Sequence, residues 1–293
     1  MPMHPDDRVD CFTSHMGLWA VDPLWMQQAV AHVLAHPVQQ AMEARQVEGG
    51  GGYDTLPGGV AVISVLGAMQ KGDSKFGGTS TIRTRRAIRA AANDDQVGAI
   101  LLRMDTPGGH VAGTAELAEE VARAAKIKPT EVFAEDLLAS AGYWVASQAA
   151  YITANRAARV GSIGVLTRLI DTSEKMERDG VKVIPIASGP MKAAGMPGTP
   201  VTDGIIAEVQ ALVDDAADQF IEAVSAGRNI TIGNMAMLAN GSVFTAPKAL
   251  DNMLIDEVGT FESALARLQV EQDVDPRQRA CARVAIAKAR RNG

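Results

Sequence analysis

Three short segments carry residue types that could do chemistry. Asp105-Thr106-Pro107-Gly108-Gly109 follows an apolar run and precedes a helical pattern. Two glycines at a strand end let the backbone turn sharply and leave N–H groups unpaired; near a helix N-terminus such donors can hold a developing oxyanion. A plain strand-to-helix turn uses the same residues. In Ala139-Ser140-Ala141-Gly142-Tyr143-Trp144 a hydroxyl sits where an extended segment gives way to a helix rich in small residues. Ser140 is there either an N-cap or a nucleophile presented at a helix start. Residues 188–197 (SGPMKAAGMP) set one lysine, Lys192, among small and apolar neighbours. A solvated lysine stays protonated at neutral pH, whereas one stripped of water can act as a base. An ordinary loop lysine has the same neighbours.

Histidine is the usual base for a serine nucleophile. The chain has His4, His15, His32, His36 and His110, and none of them follows Ser140. His110 adjoins the glycine turn and stands as a rival base. A Ser–Lys dyad is the other route to an activated serine.

The elements that must position these groups read as alternating strand and helix. Residues 60–66 (VAVISVL), 97–104 (VGAILLRM), 131–134, 151–154 and 181–186 read as strands; 81–92 and 115–125 read as helices. Such alternation predicts βαβ units and a largely parallel sheet covered by helices, an α/β protein. A long helix is predicted over 203–227, with Ile206, Val209, Leu212, Val213 and Phe220 on one face. Residues 1–48 read as a small helical appendage and residues 49–58 as a Gly-rich linker. A main domain over 59–270 and a basic tail over 271–293 complete the chain.

Composition narrows the function. Apolar residues make up 47% and charged residues 21%, as in a soluble protein with a packed core. A net charge of −6 and only 4% aromatics argue against nucleic acid as the main partner. Cys11 and Cys281 lie near opposite ends; the spacing suggests no zinc site, a long-range disulfide is not expected, and a reducing compartment fits. The opening MPMHPDDRVD lacks the pattern of a secretory signal, and no apolar run reaches the length of a membrane span. The expected location is the cytoplasm, without membrane anchor, metal or cofactor.

DTPGG (105–109), ASAGYWVAS (139–147), VGSIGV (160–165) and SGPMKAAGMP (188–197), in that order, resemble the S49 serine peptidases. That family includes the bacterial signal peptide peptidase A and the prohead maturation proteases of tailed phages. The stretch 226–259 (AGRNIT…GSVFTAPKALDNMLIDEVG) is similar to the family's closing pattern, so the likeness spans about residues 59–270. The resemblance implies a crotonase/ClpP-like fold with a repeated ββα core. It implies Ser140 as acylated nucleophile, Lys192 as general base, Ser162 as the serine orienting the lysine amine, and Gly108 and Gly109 as the oxyanion turn. It also implies a ring-shaped homo-oligomer in which the lysine can come from a neighbouring subunit. Peptide substrates are expected: capsid, scaffold or portal proteins during assembly of a phage prohead in the host cytoplasm, or alternatively signal peptides. A crotonase-type acyl-CoA enzyme, for which Glu135 and Asp136 are the available acids, and a non-catalytic ring-forming head component are the alternatives from other classes.

Overall fold

The computed structural model describes residues 17–22, 26–28, 52–73 and 77–273. In chain order the elements are β1 (Trp19–Val21), β2 (Asp54–Leu56), β3 (Val60–Leu66), β4 (Met69–Gln70), β5 (Thr79–Ser80), α1 (Thr81–Asn93), β6 (Ala99–Thr106), β7 (Gly108–His110) and α2 (Thr114–Ile127). They continue with β8 (Thr130–Ala139), α3 (Ala141–Ala146), β9 (Tyr151–Ala154), β10 (Arg159–Gly161), α4 (Ser173–Arg178), α5 (Asp203–Arg228), α6 (Ile232–Leu238), β11 (Val243–Thr245), α7 (Ala246–Asp251), β12 (Glu257–Val258) and α8 (Phe261–Asp273).

The near-continuous apolar runs of β3 and β6 are covered on both faces, which is what a parallel sheet between helical layers requires. The large sheet has the order β11-β10-β8-β6-β3-β2, parallel through β10, β8, β6 and β3 and antiparallel at both edges. A small sheet has the order β1-β7-β4-β5. Two successive units contribute to both: β3, then β4 and the short β5, then α1; and β6, then β7, then α2. Each sends its first strand to the large sheet and its second to the small one. The expected α/β class and repeated unit are therefore observed.

Side-chain chemistry fixes the helices. Ser80 caps α1 by accepting from the Arg83 N–H, and α1 buries Thr84, Ala87, Ile88 and Ala91. Helix α2 buries Leu117, Ala118, Val121 and Ala124, and its buried Glu120 binds Arg89 of α1 and Arg123. Burial alone would raise the Glu120 pKa, but the two guanidinium groups outweigh it and hold the carboxyl below its ordinary value.

β8 decides the geometry. One edge pairs β6; the other pairs β9 at Glu131–Ala134 and β10 at Leu137–Ala139. Opposite β6 the register jumps from Met104↔Ala134 to Thr106↔Leu138, so β8 carries the extra residues of a bulge. There the Asp105 carboxylate accepts from the Leu137 N–H (3.1 Å) in place of a ladder bond. The bulge re-aims the last residues of β8 towards the glycine turn.

Several expectations are corrected. Residues 19–21 form a strand, not part of a helix, because β7 offers them a complete antiparallel partner. Most of the 1–48 segment lies outside the described residues, as does 274–293 of the basic tail. Within the expected linker, Asp54–Leu56 pairs β3 through a turn in which Gly58 and Gly59 take positive φ. Residues 181–186 are not a strand: no ladder partner pairs with them among the described residues, and Val181, Ile184 and Ile186 are exposed. The long helix forms, but only its C-terminal half is covered; Ile206 and Leu212 are half exposed.

That covered half braces the floor under α3. Phe220 stacks on Trp144 at 4.8 Å, and Tyr143 donates to the Leu254 carbonyl at 2.7 Å. Arg228, 2% exposed, donates to both Asp256 oxygens (2.9 and 3.0 Å) and to the Met253 carbonyl. Removing one partner of a buried pair strands the other charge. Arg228→Met is expected to cost about 3–5 kcal/mol in denaturant unfolding, and adding Asp256→Leu should recover part of it.

Candidate active site

Ser140 is the hinge between β8 and α3. Its N–H donates to Gly161 O (2.8 Å) and its carbonyl accepts from Trp144 N–H (2.9 Å), so the backbone is held on both sides. The residue is thereby forced to φ 53°, ψ −122°, a region that costs an L side chain on the order of 1–3 kcal/mol. The sequence left open whether Ser140 is a cap or a nucleophile. It occupies the cap position of α3 but makes no cap bond. Its hydroxyl is buried, with the residue 1% exposed, and has no hydrogen-bond partner. A strained serine at a strand-to-helix turn, presenting an uncommitted oxygen, is the arrangement of a nucleophile elbow.

Ser162 stands alongside. The register Ala139↔Gly161 brings the two serines to the C-terminal ends of neighbouring parallel strands, where α/β sheets hold ligands. Ser162 is buried, also has φ 53°, and donates its N–H to Ser242 O at 2.7 Å.

The glycine turn closes the third side. A Cβ on Gly108 (φ 93°) would overlap Ala20 O and lie 2.8 Å from Ala141 N and 2.9 Å from Ser140 Cβ. On Gly109 it would overlap the Met69 carbonyl, and on Gly142 it would overlap Thr106 Cγ2. Thr106 Oγ1 donates to Gly67 O (2.7 Å) and accepts the Gly108 N–H (3.1 Å). The Gly108 N–H is thus held by a side chain, while Ala141 and Gly142, in the first turn of α3, have no intrahelical acceptor. Sequence reading passed over both Thr106 and Ala141; the small residues following Ser140 were the signal for the latter. Burial raises the Asp105 carboxyl, opposed by the Leu137 N–H and reinforced by Asp136 and Glu135.

Two other candidates make no hydrogen bond to the Ser140 hydroxyl. His110 packs edge-on against Trp19 (3.9 Å between ring centres) and makes no hydrogen bond to Ser140 Oγ. Lys192 lies in a 3-10 turn, Pro190–Ala193, exposed and likewise not bonded to that oxygen. Of the acids, Glu135 is ion-paired with Arg103 (2.7 Å) and Asp136 is exposed. Among the described residues no helix is long and apolar enough to cross a membrane.

The profile of Peptidase family S49 matches residues 122–275, which contain Ser140, Ser162 and Lys192. The chain belongs to peptidase family S49. Among S49 relatives, "Capsid assembly protease C" of Escherichia phage lambda is 32% identical over 83% of this chain and 55% of its own length. "Protease 4" of Haemophilus influenzae is 30% identical over 76% of this chain and 36% of its own. A Synechocystis sp. relative, provisionally named a protease, is 32% identical over 74% and 76% respectively. The chain thus spans about a third to just over half of the first two relatives. An enoyl-CoA hydratase from Shewanella pealeana aligns over 82% of the chain with a TM-score of 0.45 and 12% identity, too loose a likeness to argue from.

The crowding at Gly108 separates two kinds of glycine. Gly180 also has positive φ (76°), yet nothing lies within 4 Å of its would-be Cβ. Gly180→Ala should cost about 1 kcal/mol of backbone strain, whereas Gly108→Ala should cost several times more in urea unfolding because Ala20 and Ser140 must move.

Proposed function

We propose that this S49 protein is a serine endopeptidase in which Ser140 is acylated and Lys192 is the general base. The observation that carries the reading is the buried, unbonded Ser140 hydroxyl on a strained backbone beside Gly108. The neutral Lys192 amine accepts the Ser140 proton as Oγ attacks a peptide carbonyl. Within the Gly108–Gly109 turn the Gly108 N–H is held by Thr106 Oγ1, so the Gly109 N–H and the Ala141 N–H stabilise the resulting oxyanion. The lysine ammonium then protonates the departing amine, and water hydrolyses the ester to release the acid and restore the serine. Ser162, one strand over, orients the amine.

Within one chain Lys192 is exposed, so the reading assigns its burial to a neighbouring copy in a ring. The segment around it supports this. Ile186 is 99% exposed and Ile184, Met191 and Met196 are exposed nearby, an apolar arm of the kind that packs against a second subunit. The lambda relative's name, "Capsid assembly protease C", supports a role in capsid assembly, and the reading takes capsid, scaffold or portal proteins within an assembling prohead as the substrates. An Enterococcus faecium relative, 30% identical over 63% of this chain and named for signal peptide peptidase SppA, supports the second reading, clearance of signal peptides.

Ser140→Ala and Lys192→Met should each lower casein hydrolysis by a factor on the order of 10² or more while far-UV dichroism stays unchanged. A Lys192 variant with near-normal turnover would remove the dyad. Ile186→Asp should shift the chain to a monomer in sedimentation and take activity with it; an active monomer rules out a base supplied in trans.

A further inference from the structure

The crowded space next to Ser140 is filled by the chain's own N-terminal strand. β1 runs antiparallel along β7, with Trp19 opposite His110, Ala20 opposite Gly109 and Val21 opposite Gly108. Asp22 N–H donates to Pro107 O (2.8 Å) and Val111 N–H to Leu18 O (3.0 Å). Antiparallel alternation makes Ala20 and Gly109 the hydrogen-bonded pair between those two, so the Gly109 N–H is directed at the Ala20 carbonyl. Along its other edge Trp19 exchanges both backbone bonds with Leu166 (2.9 and 2.8 Å), four residues beyond Ser162. Residues 18–22 are therefore an extended peptide paired with β7 along one edge and with Leu166 through Trp19 on the other, and Ala20, Val21 and Asp22 are buried.

What this peptide touches gives it meaning. The Ala20 carbonyl, the Ser140 Cβ and the Ala141 nitrogen converge on the single point beside Gly108 that no side chain can enter. A peptide to be cut by Ser140 needs the same placement: an extended backbone, a carbonyl within reach of the serine and the helix-start N–H, and an edge strand to register it. Strand addition meets all three requirements with main-chain bonds, leaving side chains to set preference.

We infer that the slot between β7 and the Leu166 segment is the peptide-binding cleft, and that Leu18–Val21 is a built-in occupant which a substrate strand displaces. This rests on Ser140 being the nucleophile. The substrate it implies is an extended segment lying antiparallel to β7, with a small residue where Ala20 now lies fully buried. The N-terminal segment holds the cleft shut until a stretch of another protein replaces it.

The test locks and unlocks that strand. Trp19 and His110 face each other as a non-hydrogen-bonded pair, with Cα atoms expected ~4.5 Å apart, a spacing a disulfide can bridge. In full-length chain carrying Cys11→Ser and Cys281→Ser, Trp19→Cys and His110→Cys are oxidised or reduced before assay. Fluorophosphonate labelling of Ser140, read by mass spectrometry, and casein hydrolysis should both be ~10-fold or more slower in the oxidised form and recover on reduction. Independently, Ala20→Asp, which opposes burial of the strand, should label several-fold faster than the parent chain while remaining folded by dichroism. Equal rates in the two redox states, or no gain in Ala20→Asp, make β1 a permanent strand and overturn the inference alone. Absence of Ser140 labelling in the parent chain as well removes the nucleophile, and the occupied cleft with it.

Discussion

A single backbone hydrogen bond, Ser140 N–H to Gly161 O, ties the end of β8 to the end of β10, and the local geometry follows from it. It holds the two strands in the register Ala139↔Gly161 at the point where both chains must turn away from the sheet. Neither turn can be made at ordinary dihedrals, so Ser140 and Ser162 both adopt φ 53°. The turn at Ser140 sends α3 back under the sheet, where Trp144 and Tyr143 find Phe220 and Leu254. The bulge in β8 supplies the slack that lets this bond form without unpairing β6.

The parts legible in the sequence were those whose own residues carry the pattern. β3 and β9 appear with the boundaries that their apolar runs indicate, and α1, α2 and the long helix within a few residues. The glycine turn and Ser140 were singled out by residue type, and the structure sets them in contact. What escaped was structure defined by a distant partner. A three-residue strand such as Trp19–Val21 has no period to read; it exists because β7, some ninety residues later, has an edge to offer. Residues 181–186 show the converse. Their apolar, β-branched run reads as a strand, yet no edge reaches them, and propensity without a partner leaves only an exposed extended segment.

Lys192 illustrates a different limit. Its neighbours in sequence are small and apolar, which would favour desolvation if the segment folded inward. The segment instead projects, together with the outer half of α5. Local composition describes what a residue tolerates, while burial depends on which surfaces close over it.

The paired left-handed serines carry a consequence for how this scaffold can drift. Glycine would relax both hinges at once, with no side chain to crowd the turn and no dihedral penalty to bear. Stability alone therefore pulls each position towards the one residue that has no hydroxyl. Were either oxygen to have no use, glycine there would make the scaffold sturdier, so the two hydroxyls are kept at a cost in stability.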